Sequence, residues 1–156
     1  MLDTGTTAPD LALEDSEGNT VRLAELRGTS PVLIYFMRTT TCPVCNRHVR
    51  DLVDRTDELR ARGVTVLVAV PEGRAAAAEW KARSGIPFTV VTGERGTPHE
   101  SVGLTRKVFG AVQQSGSVLV DANGVVVHAH SSTLPTTAYD RRGLTAALEK
   151  LGPVAA

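Results

Sequence analysis

Cysteine is nearly missing from this chain, with two among 156 residues. So few, set so close together, exclude the disulfide framework that holds small secreted folds together. Aromatic residues are scarce at 4%, with a single tryptophan; stacking surfaces for bases or sugars are not evident, and the core has to be built from Val, Leu, Ile and Ala. Neither sign of charge is in excess. The 17 basic and 17 acidic residues cancel, so no broad field draws nucleic acid or anionic lipid to the surface. No apolar run approaches the ~20 residues that span a bilayer, and the opening Met1-Leu2-Asp3-Thr4-Gly5 has neither the basic start nor the apolar stretch of a secretion signal. Nucleic acid and membranes are therefore not expected as partners, and a cytoplasmic location is. What is present, 42% hydrophobic residues in a chain of this length, suits one well-cored domain over residues 1–156.

The hydrophobic pattern alternates between strand and helix. Leu11–Glu14 and Val21–Leu23 flank the turn-rich Asp15–Asn19 and predict a hairpin, followed by one helical turn over Leu23–Leu26. Pro31–Met37 is a continuous apolar run, the signature of a strand covered on both faces. Apolar residues at Val49, Leu52, Val53 and Leu59 then recur at helical spacing until Gly63 supplies a stop, and Val64–Val70 returns as a second buried strand. Strand, helix, strand in that order implies parallel pairing. Beyond lie an alanine-rich helix over Ala75–Arg83, a β-rich run Ile86–Val91, a polar loop Thr92–Pro98 and a helix over His99–Phe109. Ser117–Val120 and Val125–His128 face each other across Asp121-Ala122-Asn123-Gly124 as a hairpin. Asp140 is placed to cap a last helix with Leu144, Ala147, Leu148 and Leu151 on one face.

The two cysteines stand in Cys42-Pro43-Val44-Cys45, straight after the first buried strand and at the start of the first long helix, where catalytic groups collect in open α/β sheets. Near the N-cap, Cys42 meets unpaired backbone N–H groups and the positive end of the helix dipole, which favour a thiolate. Pro43 suits the first turn, where its missing N–H is not needed. A spacing of three brings the two Cβ atoms to about 5–6 Å, close enough for a disulfide after modest adjustment. Cys42, at the helix end, is the expected exposed nucleophile, and Cys45, one turn deeper, the resolving residue. Arg38 and His48 are candidates for positive charge near the sulfur, although Arg38 taken alone reads as a solvated or capping residue. A metal half-site of Cys42, Cys45 and His48 has the right ligand types but no second cysteine pair. Two inert buried thiols at this spacing are the less economical reading. His99, His128 and His130 lie far along the chain and read as surface or strand-face residues.

Across most of its length the chain resembles the alkyl hydroperoxide reductase and thiol-specific antioxidant family of the thioredoxin superfamily, which includes the peroxiredoxins. The resemblance is carried in order by Ala8–Leu13, Asp15–Leu23, Leu26-Arg27-Gly28, the strand Val32–Phe36, the cysteine-bearing helix start, Ile86-Pro87-Phe88 and Val118–Gly124. It implies an α/β thioredoxin-like fold, a central mixed sheet flanked by helices, with an N-terminal β-hairpin extension. The family's Pro-x-x-x-Thr/Ser-x-x-Cys pattern, aligned on Cys42, is matched by Thr39, while Tyr35 stands at the proline position. The family's second arginine would fall near Ser115, and Gln113–Ser117 contains none; nor does it contain the cis-proline of thioredoxin proper.

The resemblance implies an oxidoreductase that needs no cofactor: a thiol-dependent peroxidase acting on hydrogen peroxide or organic hydroperoxides. Cys42 would attack, Cys45 resolve, Thr39 hold the peroxide and Arg38 steady the charge. A thioredoxin-like or low-molecular-weight thiol would be the reductant, and homodimers are usual in such proteins. Two other readings stay open: a thioredoxin-like protein disulfide oxidoreductase using the same pair, and a non-enzymatic redox sensor or interaction domain.

Overall fold

The computed structural model describes residues 1–26, 28–94, 96–107, 109–110, 112–134 and 137–152. Arg27 of the family-like opening, Arg95 of the expected loop and Val108 of the expected helix lie outside them. In chain order the elements are β1 (Ala12–Asp15), β2 (Thr20–Arg22), α1 (Leu23–Leu26), β3 (Val32–Phe36), α2 (Pro43–Asp54), α3 (Thr56–Ala61), β4 (Thr65–Ala69) and α4 (Arg74–Ser84). Then follow β5 (Thr89–Gly93), α5 (Pro98–Ser101), β6 (Arg106–Lys107), β7 (Val112–Gln113), β8 (Ser115–Val120), β9 (Val126–Ser132) and α6 (Arg141–Leu151).

Seven strands form one mixed sheet in the order β2-β1-β5-β4-β3-β8-β9. β3 pairs parallel with β4 and antiparallel with β8, which puts it deep inside the sheet, as its unbroken apolar sequence predicts. All five of its residues are buried, and each such side chain taken from water contributes roughly 1.5–3 kcal/mol. The pleat divides the run. Leu33, Tyr35 and Met37 join a core shared with α2, α4 and α6, while Val32, Ile34 and Phe36 join a second core with Leu11, Leu13, Leu104 and Val118 on the opposite face. The N-terminal hairpin is not an appendage: β1 pairs antiparallel with β5 and extends the same sheet to its edge at β2.

Three expectations are corrected. The helix expected to run unbroken to Gly63 is two helices, because the Arg55 N–H turns back to the carbonyl of Leu52 at 3.1 Å while its side chain is drawn inward to Glu58 and to Thr145 of α6. Gly63 does provide the stop, at φ +68. The helix expected over His99–Phe109 ends at Ser101, since Gly103 takes φ +79 and the N–H of Leu104 closes on the carbonyl of His99 at 2.9 Å; the chain then runs into the small β6-β7 ribbon. The strand expected from Ile86 begins only at Thr89, after Pro87, which has no N–H to give a ladder. Among the described residues no helix is long and apolar enough to cross a membrane.

Candidate active site

β3 delivers the chain to the sheet's C-terminal edge, where Met37 donates its N–H to the carbonyl of Ala69 at 2.9 Å. Residues Arg38 to Thr41 then turn into α2. Cys42 is the N-cap of α2, in extended conformation, with Pro43 in the first turn. Its sulfur accepts the N–H of Cys45 at 3.3 Å, so a thiol fills the place a serine or aspartate oxygen takes at most helix starts. The turn is held from three directions. The N–H of Cys42 donates to the carbonyl of Thr39 at 3.3 Å. Glu72 accepts the N–H of Thr40 at 2.9 Å and its hydroxyl as well. Asn46 donates to the carbonyls of Thr40 at 3.0 Å and Cys42 at 2.8 Å, and its own oxygen accepts the indole N–H of Trp80 on α4 at 2.8 Å.

The two thiols are free and differ in access in the expected sense, though neither is exposed: Cys42 retains 7% of its surface and Cys45 none. Burial pushes the Cys45 thiol up; the Cys42 sulfur, to which it hydrogen-bonds, adds to the rise, while the Arg38 backbone N–H and the Tyr35 hydroxyl oppose it.

Arg38 and Thr39 line a cleft of about 330 Å³ beside this turn, together with Pro71, Glu72, Arg106, Gly110 and Gln113. Thr39 shares a hydroxyl contact with Thr41 at 3.2 Å. Arg106 and Glu72 were not legible as site residues. Arg106 is brought to the cleft by β6, and Ser115 is buried at the head of β8. A solitary Glu following an apolar strand and Pro71 was the available signal for Glu72.

His48 corrects an expectation. Burial, helped by the neighbouring Arg47 and opposed by Asp51, holds its imidazole below the ordinary value, so it brings no positive charge to the sulfurs at neutral pH. Its Nδ1 lies 2.7 Å from the hydroxyl of Tyr35. Among the described residues no group of three His, Cys, Asp or Glu side chains is arranged to hold a metal ion. His99 is not a surface residue. It is fully buried, with Nε2 2.6 Å from the carbonyl of Met37, and burial lowers its pKa to about 4. His128 is a buried strand-face residue of β9, and His130 reaches the carbonyl of Thr137 at 2.6 Å.

The chain as a whole has relatives among known proteins. Peroxiredoxin Bcp of Escherichia coli is 30% identical over 132 residues, 81% of this chain and 84% of that protein. Peroxiredoxin Q, chloroplastic, of Oryza sativa subsp. japonica is 26% identical over 128 residues, 82% of this chain; the match spans 58% of the rice protein's own length. In fold, the crystal structure of peroxidoxin BcpB from Mycobacterium tuberculosis superposes with a TM-score of 0.79 over all of both chains at 19% identity. Residues 4–129 match the model of the AhpC/TSA family, and with most of its length so matched the chain belongs to that family.

Proposed function

We propose that the chain is a thiol-dependent peroxidase whose attacking residue is Cys42 and whose resolving residue is Cys45. The observation that carries this reading is the N-cap placement of Cys42: its sulfur accepts a backbone N–H at the start of α2, while Cys45 lies one turn deeper with no exposed surface. In the first step the Cys42 thiolate attacks the distal oxygen of a peroxide. The O–O bond breaks, the sulfur becomes a sulfenic acid, and the departing alkoxide or hydroxide takes up a proton. Thr39, which lines the adjoining cleft with Arg38 and Arg106, holds the peroxide, and the two arginines oppose the charge that develops on the leaving oxygen. In the second step Cys45 displaces that oxygen as water and closes the disulfide. An external dithiol protein of thioredoxin type, or a small thiol, reopens it by exchange. A reducing compartment such as the cytoplasm suits this cycle, and self-association as a homodimer is part of the proposal.

Stopped-flow oxidation of the reduced protein by hydrogen peroxide at pH 7, with intact mass following the loss of two hydrogens, tests it. A rate far above that of free cysteine, lost in Cys42→Ser, is expected; a rate no faster than free cysteine overturns it. The Cys-Pro-Val-Cys ring at a helix start favours a second reading, protein disulfide exchange, which predicts slow peroxide oxidation together with fast reaction with disulfides.

A further inference from the structure

Cys45 has no exposed surface, so its proton has no direct way to water. It must nevertheless shed that proton to attack, because the thiolate is the nucleophile. The polar groups around its sulfur are Cys42, the backbone N–H of Arg38 and the hydroxyl of Tyr35. Of the last two, only a hydroxyl can take a proton on one side while giving one up on the other.

Tyr35 is the lone hydroxyl-bearing residue in the otherwise apolar β3, and it is fully buried. Packing alone would be served by Phe, and a buried hydroxyl without a partner is destabilising. Its oxygen is instead placed between Cys45 on one side and Nδ1 of His48, 2.7 Å away, on the other. His48 is half-buried and so reaches solvent. The ring of Tyr139, from the segment before α6, lies against it with centroids 5.0 Å apart and planes at 33°. The Tyr139 hydroxyl is committed to Asp51 at 2.7 Å. The groups facing His48 are thus Tyr35 from β3, Tyr139 from before α6, and Arg47 and Asp51 on its own helix.

We infer that Tyr35 and His48 form the proton path of the resolving thiol, Tyr35 touching the reacting sulfur and His48 receiving the proton through it. The inference rests on the peroxidase reading for the oxidised form of Cys42. When Cys45 attacks the sulfenic acid, the S–S bond forms and the S–O bond of Cys42 breaks. For this the Cys45 S–H turns from the Cys42 sulfur and the Tyr35 O–H from Cys45 toward Nδ1 of His48, and the Cys45 proton passes to the Tyr35 oxygen as the Tyr35 proton passes to Nδ1. The hydroxide leaving Cys42 becomes water by taking a proton from solvent, and His48 releases one to solvent from Nε2, so protons balance. The sulfur of Cys42 is reduced as that of Cys45 is oxidised, with no electrons left over. Tyr35 does not ionise along the way; burial holds its phenol far above the ordinary range. When a reductant later expels the Cys45 thiolate, the same path runs backwards and restores the thiol.

The test is rapid-mix quenching of reduced wild type, Tyr35→Phe and His48→Gln with peroxide, followed by mass spectrometry that separates Cys42 sulfenic acid from disulfide. Both variants should form the sulfenic acid at the wild-type rate within about twofold and close the disulfide at least tenfold more slowly. In wild type the closing rate should level off above an inflection below pH 6.5, the titration of His48; in both variants the inflection should vanish and the rate climb with pH as the bare thiol ionises. Closure at the wild-type rate overturns the path, and so does slow closure that keeps the wild-type pH profile, which would mark a packing role. If peroxide does not oxidise Cys42, the peroxidase reading fails separately. Cys42 is then loaded with an aromatic disulfide reagent, and release of the aromatic thiol by Cys45 is timed in the same three proteins against the same criteria.

Discussion

The two sulfurs are three residues apart and share one core, yet the protein differs on their two sides. On the side of Cys42 the chain is a polar turn whose Arg38 and Thr39 line a cleft with Glu72 and Arg106, drawn from separated stretches of chain. Around Cys45 it is dry, walled by β3 and α2, with Tyr35, His48 and Tyr139 packed ring against ring. A thiol that meets a substrate from solvent needs access and loop donors, whereas one that attacks only its neighbour needs exclusion of water and a route for its proton. One helical turn separates the two requirements.

The sharpest way to break the comparison is to remove each sulfur in turn. Cys42→Ser should lower peroxide consumption by a factor of a hundred or more. Cys45→Ser should keep the first oxidation within a few-fold and accumulate sulfenic and then sulfinic acid at Cys42, resolved by intact mass. Equal losses in the two variants would dissolve the distinction between the sides.

Acid should next undermine the strand end from which the open side springs. His99 is buried neutral, with a pKa of about 4 against an ordinary 6.5, so the unfolded chain binds the extra proton first. The stability it contributes is present above pH 6.5 and is lost as pH falls through about 4. The full loss is on the order of 3 kcal/mol at 1.36 kcal/mol per pH unit. Denaturant midpoints at pH 7 and pH 4.5 should show most of this, and His99→Gln, which retains a donor for the Met37 carbonyl, should flatten the slope.

Glu72→Leu should cost about 2 kcal/mol, since it strands the N–H and hydroxyl of the buried Thr40. It should also slow Cys42 oxidation while leaving disulfide closure unchanged. The smallest effect belongs to the other side. Asp51→Ala, which frees the Tyr139 hydroxyl and the partly exposed Arg141, should cost about 1 kcal/mol in urea unfolding.

How much of this the chain disclosed follows from sequence separation. β3, the β8-β9 hairpin, the N-cap position of Cys42 and the Asp140 cap, whose carboxylate accepts the N–H of Gly143 at 2.9 Å, are decided by neighbours a few residues away and were legible. The break at Arg55 was not, because it depends on a partner 90 residues on. The same holds for Glu72 and Arg106, whose own surroundings in sequence look like ordinary solvated loop. His48 was legible as a residue near the sulfurs but not as a neutral one, since its protonation is decided by burial against Tyr35 and Tyr139. Tyr35 was visible only as a departure from a family motif. A hydroxyl inside an apolar strand is itself a signal, because a buried phenol needs partners.

The clamp between Asp51 and Tyr139 joins residues 88 positions apart. A ribosome adding about 5–20 residues per second takes on the order of ten seconds to cover that distance. Throughout that interval Tyr35 and His48 lack the Tyr139 ring that packs against them. A chain that ends before residue 139 lacks that side of the wall, and its reduced dithiol is expected to oxidise more readily than that of the full chain.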